Sequence, residues 1–393
     1  MKQNKIIFVV LDGVGIGELP DAHAYGDSGT NTLCNVANAV GGLRLPNLGR
    51  LGLSNIVAVN GVPPATRAEG NFGKMAERSK GKDSTLGHWE LAGVVTDRAF
   101  PTYPEGFPQS LIEKFLDVTG CQGILGNKPA SGTEIINELG DEHVKTGHPI
   151  VYTSGDSVFQ IAAHEEVIPL DRLYEICKKT REQVVTGAHA VGRVIARPFV
   201  GKSGSYVRTP NRRDFAVEPP GETMLDVLSN NGVETIAVGK IDDLFSGRGL
   251  KKKVHTKSNA DGVETIVALG NAMNFGLLIG NLVDFDMLYG HRQDPRGFAN
   301  ALESFDVALP RLEACLQDGD MLILTGDHGN DPTDKSTDHS REYVPILCRT
   351  KAGKSNVNLG TRKSFADAGK TVLDFFGIIN KQLAGESFLP MIR

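Results

Sequence analysis

Cysteine is scarce and unorganised in this sequence. Five cysteines in 393 residues (Cys34, Cys121, Cys177, Cys315 and Cys348) lie far apart, and no two form a CxxC pair. An odd, dispersed set argues against a disulfide framework and for reduced thiols, mostly core residues, in a cytoplasmic protein. Long apolar runs are missing as well. No stretch approaches the ~18–20 residues needed to cross a bilayer, so no membrane partner is expected. Positive charge is not in excess, the formal net charge being −5. The basic runs Lys251-Lys252-Lys253 and Arg212-Arg213 are short, and the first is expected to be a solvated loop. Nucleic acid is therefore not an expected partner. There is no internal repeat and no low-complexity tract. The opening MKQNKIIFVVLDG falls short of a signal segment, because its apolar run Ile6–Leu11 is brief and ends at an aspartate; it is expected to be a first strand.

The bulk composition is that of a globular protein, with 40% hydrophobic and 23% charged residues. The length allows two domains, at roughly 100–200 residues each. Forty-six glycines suit a fold with many tight strand-to-helix turns. Ile6–Leu11, β-branched and uninterrupted, reads as a central parallel strand that delivers Asp12 at its tip. The glycines of Asp12-Gly13-Val14-Gly15-Ile16-Gly17 invite a dinucleotide fold, but Glu18-Leu19-Pro20 supplies neither the final glycine nor a helix start. Helices are expected at 31–41 and 45–53. The composition changes between Phe100 and Pro219. Pro101, Pro104 and Pro108 mark the exit from a first domain, and Pro219-Pro220 marks the return. Between them, helices at 110–118, 133–143 and 170–184 mix with strands at 149–153, 157–163, 191–196 and 206–209, an α+β pattern. Strict alternation then resumes. Helices are expected at 222–228, 259–273, 296–316 (kinked at Pro310) and near 365–376. Strands are expected at 234–238, 275–285 (weakened at Gly280-Asn281), 321–324 and 344–348. The fold class is α/β, with residues 1–99 and 217–393 forming one discontinuous domain and 100–216 an insertion.

The chemistry gathers at strand ends. Leu322–Glu342, LILTGDHGNDPTDKSTDHSRE, begins as a buried strand and breaks at Thr325-Gly326. The polar segment that follows holds Asp327, His328, Asp331, Asp334, Asp338 and His339. Carboxylates and imidazoles just past the carboxyl end of a buried strand suit a divalent cation such as Mn or Zn. A solvated loop in which Asp and Asn make turns is the plain alternative. Three clusters complement it: Asp12; Lys82-Asp83-Ser84 in KGKDSTLGHWE; and Asp286 with His291, five apart in VDFDMLYGHRQD. Together they offer more oxygen and imidazole than one cation requires. Two cations, and with them in-line phosphoryl transfer, fit the count better. Ser84 and Thr85 are adjacent hydroxyls, each a candidate nucleophile that a bound metal could activate. Ser84 could equally serve as a helix N-cap.

Nearly end to end, the sequence closely resembles the phosphopentomutase family of the alkaline phosphatase superfamily. The motifs are LDGVGIGELPDA, GKDSTLGHWELAG, VYTSGDSVFQIAAHE, GRVIARPFVG, RTPNRRDFAVEPP, VGKIDDLF, VDFDMLYGHRQD, GDHGNDPT and TDHSREYVP. The resemblance implies an alkaline-phosphatase-like, Rossmann-type core with an inserted α+β cap domain, two Mn ions and a phosphorylated hydroxyl residue. One Mn would be held by Asp12, Asp327, His328 and the nucleophile's oxygen, the other by Asp286, His291 and His339. The nucleophile follows the family's Lys-Asp pair, which lands on Ser84, where the family residue is typically threonine; Thr85 stays the second candidate. Gly155, usually alanine, and Arg213, usually histidine, are milder departures. The implied reaction interconverts ribose 1-phosphate and ribose 5-phosphate, and their 2-deoxy counterparts, through a 1,5-bisphosphate. A sugar bisphosphate (ribose 1,5-bisphosphate or glucose 1,6-bisphosphate) would be the activator. Arg193, Arg208 and Lys240 are candidates for the distal phosphate, and Asp156 with Ser154 for the sugar hydroxyls. Pentose phosphates are the expected partners, and a monomer is the expected state. Two rivals stand beside this reading: a phosphatase or phosphoglycerate mutase of the same superfamily with a different cap, and a non-catalytic sugar-phosphate binder.

Overall fold

The apolar run Ile6–Leu11 lies in the middle of a sheet. The computed structural model describes residues 4–393. Its strands follow one another as β1 (Lys5–Leu11), β2 (Asn71–Met75), β3 (Leu125–Pro129), β4 (Ile150–Thr153), β5 (Val158–His164), β6 (Arg193–Val200), β7 (Val207–Arg208), β8 (Arg213–Ala216), β9 (Thr235–Val238), β10 (Lys252–Val254), β11 (Gly276–Leu282), β12 (Met321–Thr325), β13 (Val344–Thr350) and β14 (Asn358–Arg362). The longer helices are α1 (Thr32–Ala39), α2 (Ser84–Leu91), α3 (Gln109–Thr119), α4 (Gly132–Thr146), α5 (Leu170–Lys179), α6 (Asn259–Ala272), α7 (Pro295–Ala314) and α8 (Ala366–Phe375). Contacts divide the chain into two units, Met1–Ala99 with Pro219–Arg393, and Phe100–Glu218.

The first unit is built on an eight-stranded sheet in the order β10-β9-β11-β1-β12-β13-β2-β14. From β10 to β12 all neighbours run parallel; β13 is antiparallel to both β12 and β2. All residues of β1, β11 and β12 are buried, which is why these strands read as continuous apolar runs rather than alternating ones. One face packs Ile7, Val9 and Leu11 with Leu33 and Val36 of α1, Ile266 of α6, and Phe298, Leu302 and Leu309 of α7. Because β11, β1 and β12 are adjacent and parallel, their carboxyl ends open on the same edge, where an open α/β sheet carries its site.

Helix α7 runs unbroken through Pro310. A proline there removes the donor for the carbonyl four residues back. That carbonyl, on Asp306, instead accepts Asn47 Nδ2 at 3.0 Å, and the Asp306 carboxylate accepts the amides of Asn47 and Leu48 at 3.1 and 2.7 Å. Two sequence expectations need correction. Lys252–Val254 is an edge strand rather than a loop; its two lysines are exposed, as suits an edge. Strand β11 passes through Gly280-Asn281 and stops at Leu282, and Phe285–Gly290 forms a π-helical turn.

The second unit has its own sheet, β3-β4-β5-β6-β7, with β8 also on β6. Helices α3 and α5 cover one face through Phe115, Leu173 and Ile176 against Phe159, Ile161 and Val194. Helix α4 covers part of the other through Ile135 and Ile136 against Tyr152, Ala162 and Phe199. The segment Ser154-Gly155-Asp156-Ser157 joins the antiparallel pair β4 and β5.

Candidate active site with a metal centre

Strand β1 delivers Asp12, β12 delivers Asp327 and His328, and the π-turn after β11 delivers Asp286 and His291. Two groups of side chains have ligand atoms close enough to share a cation: Asp286, His291 and His339, and Asp12, Asp286 and His328. Asp286 belongs to both. His291 Nε2 and His339 Nε2 lie 3.2 and 3.3 Å from its two oxygens. His328 Nε2 is 3.3 Å from Asp12 Oδ1 and 3.4 Å from Asp327 Oδ2. Asn281 Nδ2 donates to Asp12 and Asn330 Nδ2 to Asp286, at 3.0 and 2.6 Å, and Gly13 N donates to Asp327 Oδ1 at 3.1 Å. Each carboxylate is thus oriented by a neighbour that is not itself a candidate ligand.

Burial and mutual charge decide the protonation. Burial, then the charges of Asp327 and Asp286, raise the Asp12 carboxyl. Burial also opposes the anion of Asp286, but His339 and His291 outweigh it and hold the group well below the usual carboxylate range. Burial disfavours the His328 imidazolium, yet Asp327 and Asp12 hold it well above the usual imidazole range. His291 follows the same pattern with Asp286 and is pushed up to about 9. A cluster whose carboxylates are balanced by imidazolium protons can exchange those protons for cations.

The hydroxyl comes from α2. Asp83, not Ser84, is its N-cap, accepting the amides of Thr85 and Leu86 at 3.0 and 3.1 Å. Ser84 is therefore the first helical residue. Its Oγ lies 2.9 Å from His328 Nε2 and 3.5 Å from Asp12 Oδ1. No described hydrogen bond joins the Thr85 hydroxyl to these groups. The helix sits hard against the Asp327 backbone: a Cβ on Gly87 would stand 2.1 Å from Asp327 O. The next residue, His88, puts Nδ1 2.8 Å from Ser84 O and 3.1 Å from Asp327 Oδ2. Lys82 Nζ meets Asp27 at 2.9 Å and Asp338 at 3.3 Å. Arg341 is buried and donates to the carbonyls of Glu77, Ser79 and Gly81 and to the Glu77 carboxylate. The loop that leads into α2 is in this way stitched to the loop carrying His339.

The sequence matches the Metalloenzyme superfamily over residues 4–380. It is 56% identical over 389 residues to a protein named phosphopentomutase from Dictyoglomus thermophilum, covering 99% of this chain and 98% of that one. It is also 56% identical over 388 residues to one of the same name from Acetivibrio thermocellus, covering 99% of each. The chain belongs to the phosphopentomutase family. It is accordingly an enzyme, an isomerase of the intramolecular phosphotransferase class. Among solved structures it resembles a phosphoglycerate mutase from Leishmania mexicana (TM-score 0.50, 14% identity, 98% and 97% of the two chains covered). It also resembles the PH0037 protein of Pyrococcus horikoshii (TM-score 0.51, 14% identity, 98% and 100% covered). At that identity the likeness shows the fold alone, an α/β core of the kind expected.

The side chains fit the metal dependence that membership of the Metalloenzyme superfamily implies. Asp327 Oδ2 and His339 Nε2 are buried without a hydrogen-bond partner among the described residues. His328 and His291 direct Nδ1 at the carbonyls of Gly329 and Thr337, at 2.9 and 2.7 Å, which leaves each Nε2 facing the carboxylates. A backbone partner on one ring nitrogen is how ligating histidines are usually oriented.

The remaining named residues of this phosphopentomutase-family chain are spread more widely. Lys240 follows β9, partly buried, at the start of a short helix. In the inserted unit, Ser154 is partly buried and Asp156 exposed. Arg193 pairs across β6 with Ala216, and its Nη1 lies 3.7 Å from Asp214. Arg208 pairs with Phe199, six residues farther along β6, so the strand register sets the two arginine backbones roughly 20 Å apart. Sequence reasoning missed Tyr152. Its hydroxyl is buried without a hydrogen-bond partner among the described residues. It stands 2.7 Å from where a Cβ on Gly132 would be, and Arg208 Nη1 is 3.5 Å from the same point. Only the pairing of β4 under the start of α4 brings these groups together.

Proposed function

We propose that the protein interconverts ribose 1-phosphate and ribose 5-phosphate, and the 2-deoxy sugars, through a phosphoryl group carried on Ser84. The observation that carries this is the full-length match, at 56% identity, to proteins named phosphopentomutase. The position of Ser84 Oγ beside His328 and Asp12 supports its choice over Thr85. Asp12, Asp327, His328 and Ser84 Oγ would hold one cation, and Asp286, His291 and His339 the other, with Mn the assigned metal. Bound there, the cations neutralise phosphoryl oxygens and lower the pKa of an attacking hydroxyl.

The step attributed to the chain's own residues is a transfer at Ser84. The Oγ–P bond breaks, a new O–P bond forms to the sugar's free hydroxyl, and that hydroxyl's proton ends on Oγ. The 1,5-bisphosphate turns over and returns its other phosphate to Oγ, and the released hydroxyl regains a proton. A free sugar bisphosphate would start the cycle by loading Ser84. We assign the inserted unit the role of a cap, since water reaching the phosphoserine would make the enzyme a phosphatase. Arg193, Arg208 and Lys240 are assigned the distal phosphate, which guanidinium forks suit, and Ser154 and Asp156 the sugar hydroxyls. The five unpaired cysteines support a reducing compartment, the cytoplasm, and a monomer is the proposed state.

The test supplies purified protein with Mn, ribose 5-phosphate and a trace of sugar bisphosphate, and follows ribose 1-phosphate and free phosphate together. Ribose 1-phosphate with little free phosphate is expected. Free phosphate alone would replace the reading with a phosphatase on the same site. Ser84→Ala should abolish both isomerisation and the phosphoenzyme, while Thr85→Ala keeps most of each; the reverse would move the nucleophile to Thr85.

A further inference from the structure

We propose that His88 is a positioning residue, tying the backbone of the nucleophile to the carboxylate of Asp327 through a single ring nitrogen. The inference rests on the assignment of Ser84 and Asp327 above and adds a residue that touches neither substrate nor cation.

Helix α2 places His88 one turn beyond Ser84, on the same side. The imidazole is 1% exposed. Its Nδ1 lies between two acceptors, Ser84 O at 2.8 Å and Asp327 Oδ2 at 3.1 Å. Its other nitrogen, Nε2, has no hydrogen-bond partner among the described residues. A residue present only to fill space would do better as leucine, which leaves no buried nitrogen unsatisfied. The pattern of contacts assigns the function to Nδ1 alone.

The Asp327 carboxylate shows what that nitrogen does. Oδ1 is fixed by Gly13 N at 3.1 Å. One hydrogen bond leaves a carboxylate able to pivot about its own bond. His88 Nδ1, 3.1 Å from Oδ2, adds a close polar contact short of a full hydrogen bond, which limits the pivot and biases the direction of that oxygen. The reach depends on Gly87, because any side chain there would meet Asp327 O and lift the helix away. Trp89 anchors the same turn from its other side, donating Nε1 to Leu244 O at 2.9 Å. A rigid helix start and the Asp327 carboxylate thus meet at one ring nitrogen, hydrogen-bonded to the first and in close contact with the second. A partner outside the ligand set that orients a ligand is commonly worth 10–100-fold in metal affinity.

The chemistry of the side chains makes the test selective. An asparagine amide nitrogen can take the place of Nδ1, whereas glutamine reaches the place of Nε2. The full-length protein, free of sugar, is titrated calorimetrically with manganese(II) chloride, and its melting temperature is recorded. His88→Gln and His88→Leu should weaken Mn binding about 10–100-fold, and His88→Asn should restore most of the affinity. After incubation with a sugar bisphosphate, intact mass should show phosphoenzyme in the parent and in His88→Asn and much less in the other two. If His88→Leu does not fold, the Asn and Gln pair still decides. The proposal is overturned if all folded variants bind Mn as the parent does, or if Asn falls as far as Gln. Loss of pentose mutase activity in the parent would instead sink the functional reading, and the metal titration would stand apart from it.

Discussion

Glu342 is a carboxylate placed where carboxylates are least at ease. It is 1% exposed, and four donors surround it: the amides of Gly17 and Thr32 at 3.0 and 2.9 Å, and the hydroxyls of Thr32 and Ser340, both at 2.7 Å. Burial outweighs those bonds and pushes its carboxyl up to about 6, from 4.5. The folded state therefore binds this proton more tightly than the unfolded chain. The group's contribution to stability is greatest below pH 4.5 and declines as pH rises to about 6. A shift of this size corresponds to about 2 kcal/mol. Glu342→Gln lacks the titration, so denaturant melts of parent and variant at a series of pH values should diverge by about 2 kcal/mol between pH 4 and 7. Parallel curves would mean that the native carboxyl titrates as in the unfolded chain.

At the scale of elements, the decisive contact is α2 against the segment after β12. Gly87→Ala would drive a methyl into the Asp327 carbonyl, a backbone group that cannot rotate aside. We expect a loss of stability of roughly 1–3 kcal/mol or more and weakened Mn binding, read by thermal melts with and without metal. An unchanged melting temperature would show that the helix can slide. This contact also marks where sequence reading stops. Asp12, Asp327 and His328 are legible as candidates because each follows an uninterrupted apolar run that reads as a buried strand, and Asp286 less directly, because its run is weakened at Gly280-Asn281. Ser84 is legible as a hydroxyl but not as a first helical residue, since Asp83 and Ser84 are both good caps and only the backbone decides between them. His88 carries no signal at all: a lone histidine inside an apolar turn looks like core. The strands β2 (NFGKM), β3 (LGNKP) and β14 (NLGTR) are hidden for another reason. Each contains a glycine and a lysine, arginine or proline, and pairing with a neighbour, not local preference, makes it a strand.

The whole molecule consists of two units with separate cores. Ile7, Val9 and the α7 residues belong to one, and Phe115, Phe159 and Val194 to another. The candidate ligands lie in only one of the two. Scanning calorimetry should resolve two components, and chelation should lower one of them while the other stays in place. A cation at 100 times its Kd would stabilise its unit by about 2.7 kcal/mol. A single transition that moves as a whole would mean that the units unfold together. The mixed pattern and flanking prolines suggest an α+β insertion over 100–216, and the contacts in the structure mark off a unit at Phe100–Glu218.

The position of β1 in its sheet also orders events during synthesis. Its partners are β11 and β12, the nearer of which begins 265 positions after Leu11 in the order of synthesis. At about 5–20 residues per second that is a wait of roughly 13–50 s. For that time an apolar hexapeptide has no strand beside it, while Phe100–Glu218, whose strands pair only among themselves, can fold as soon as it emerges. The edge that carries the candidate ligands is then assembled late, around a strand that was made early.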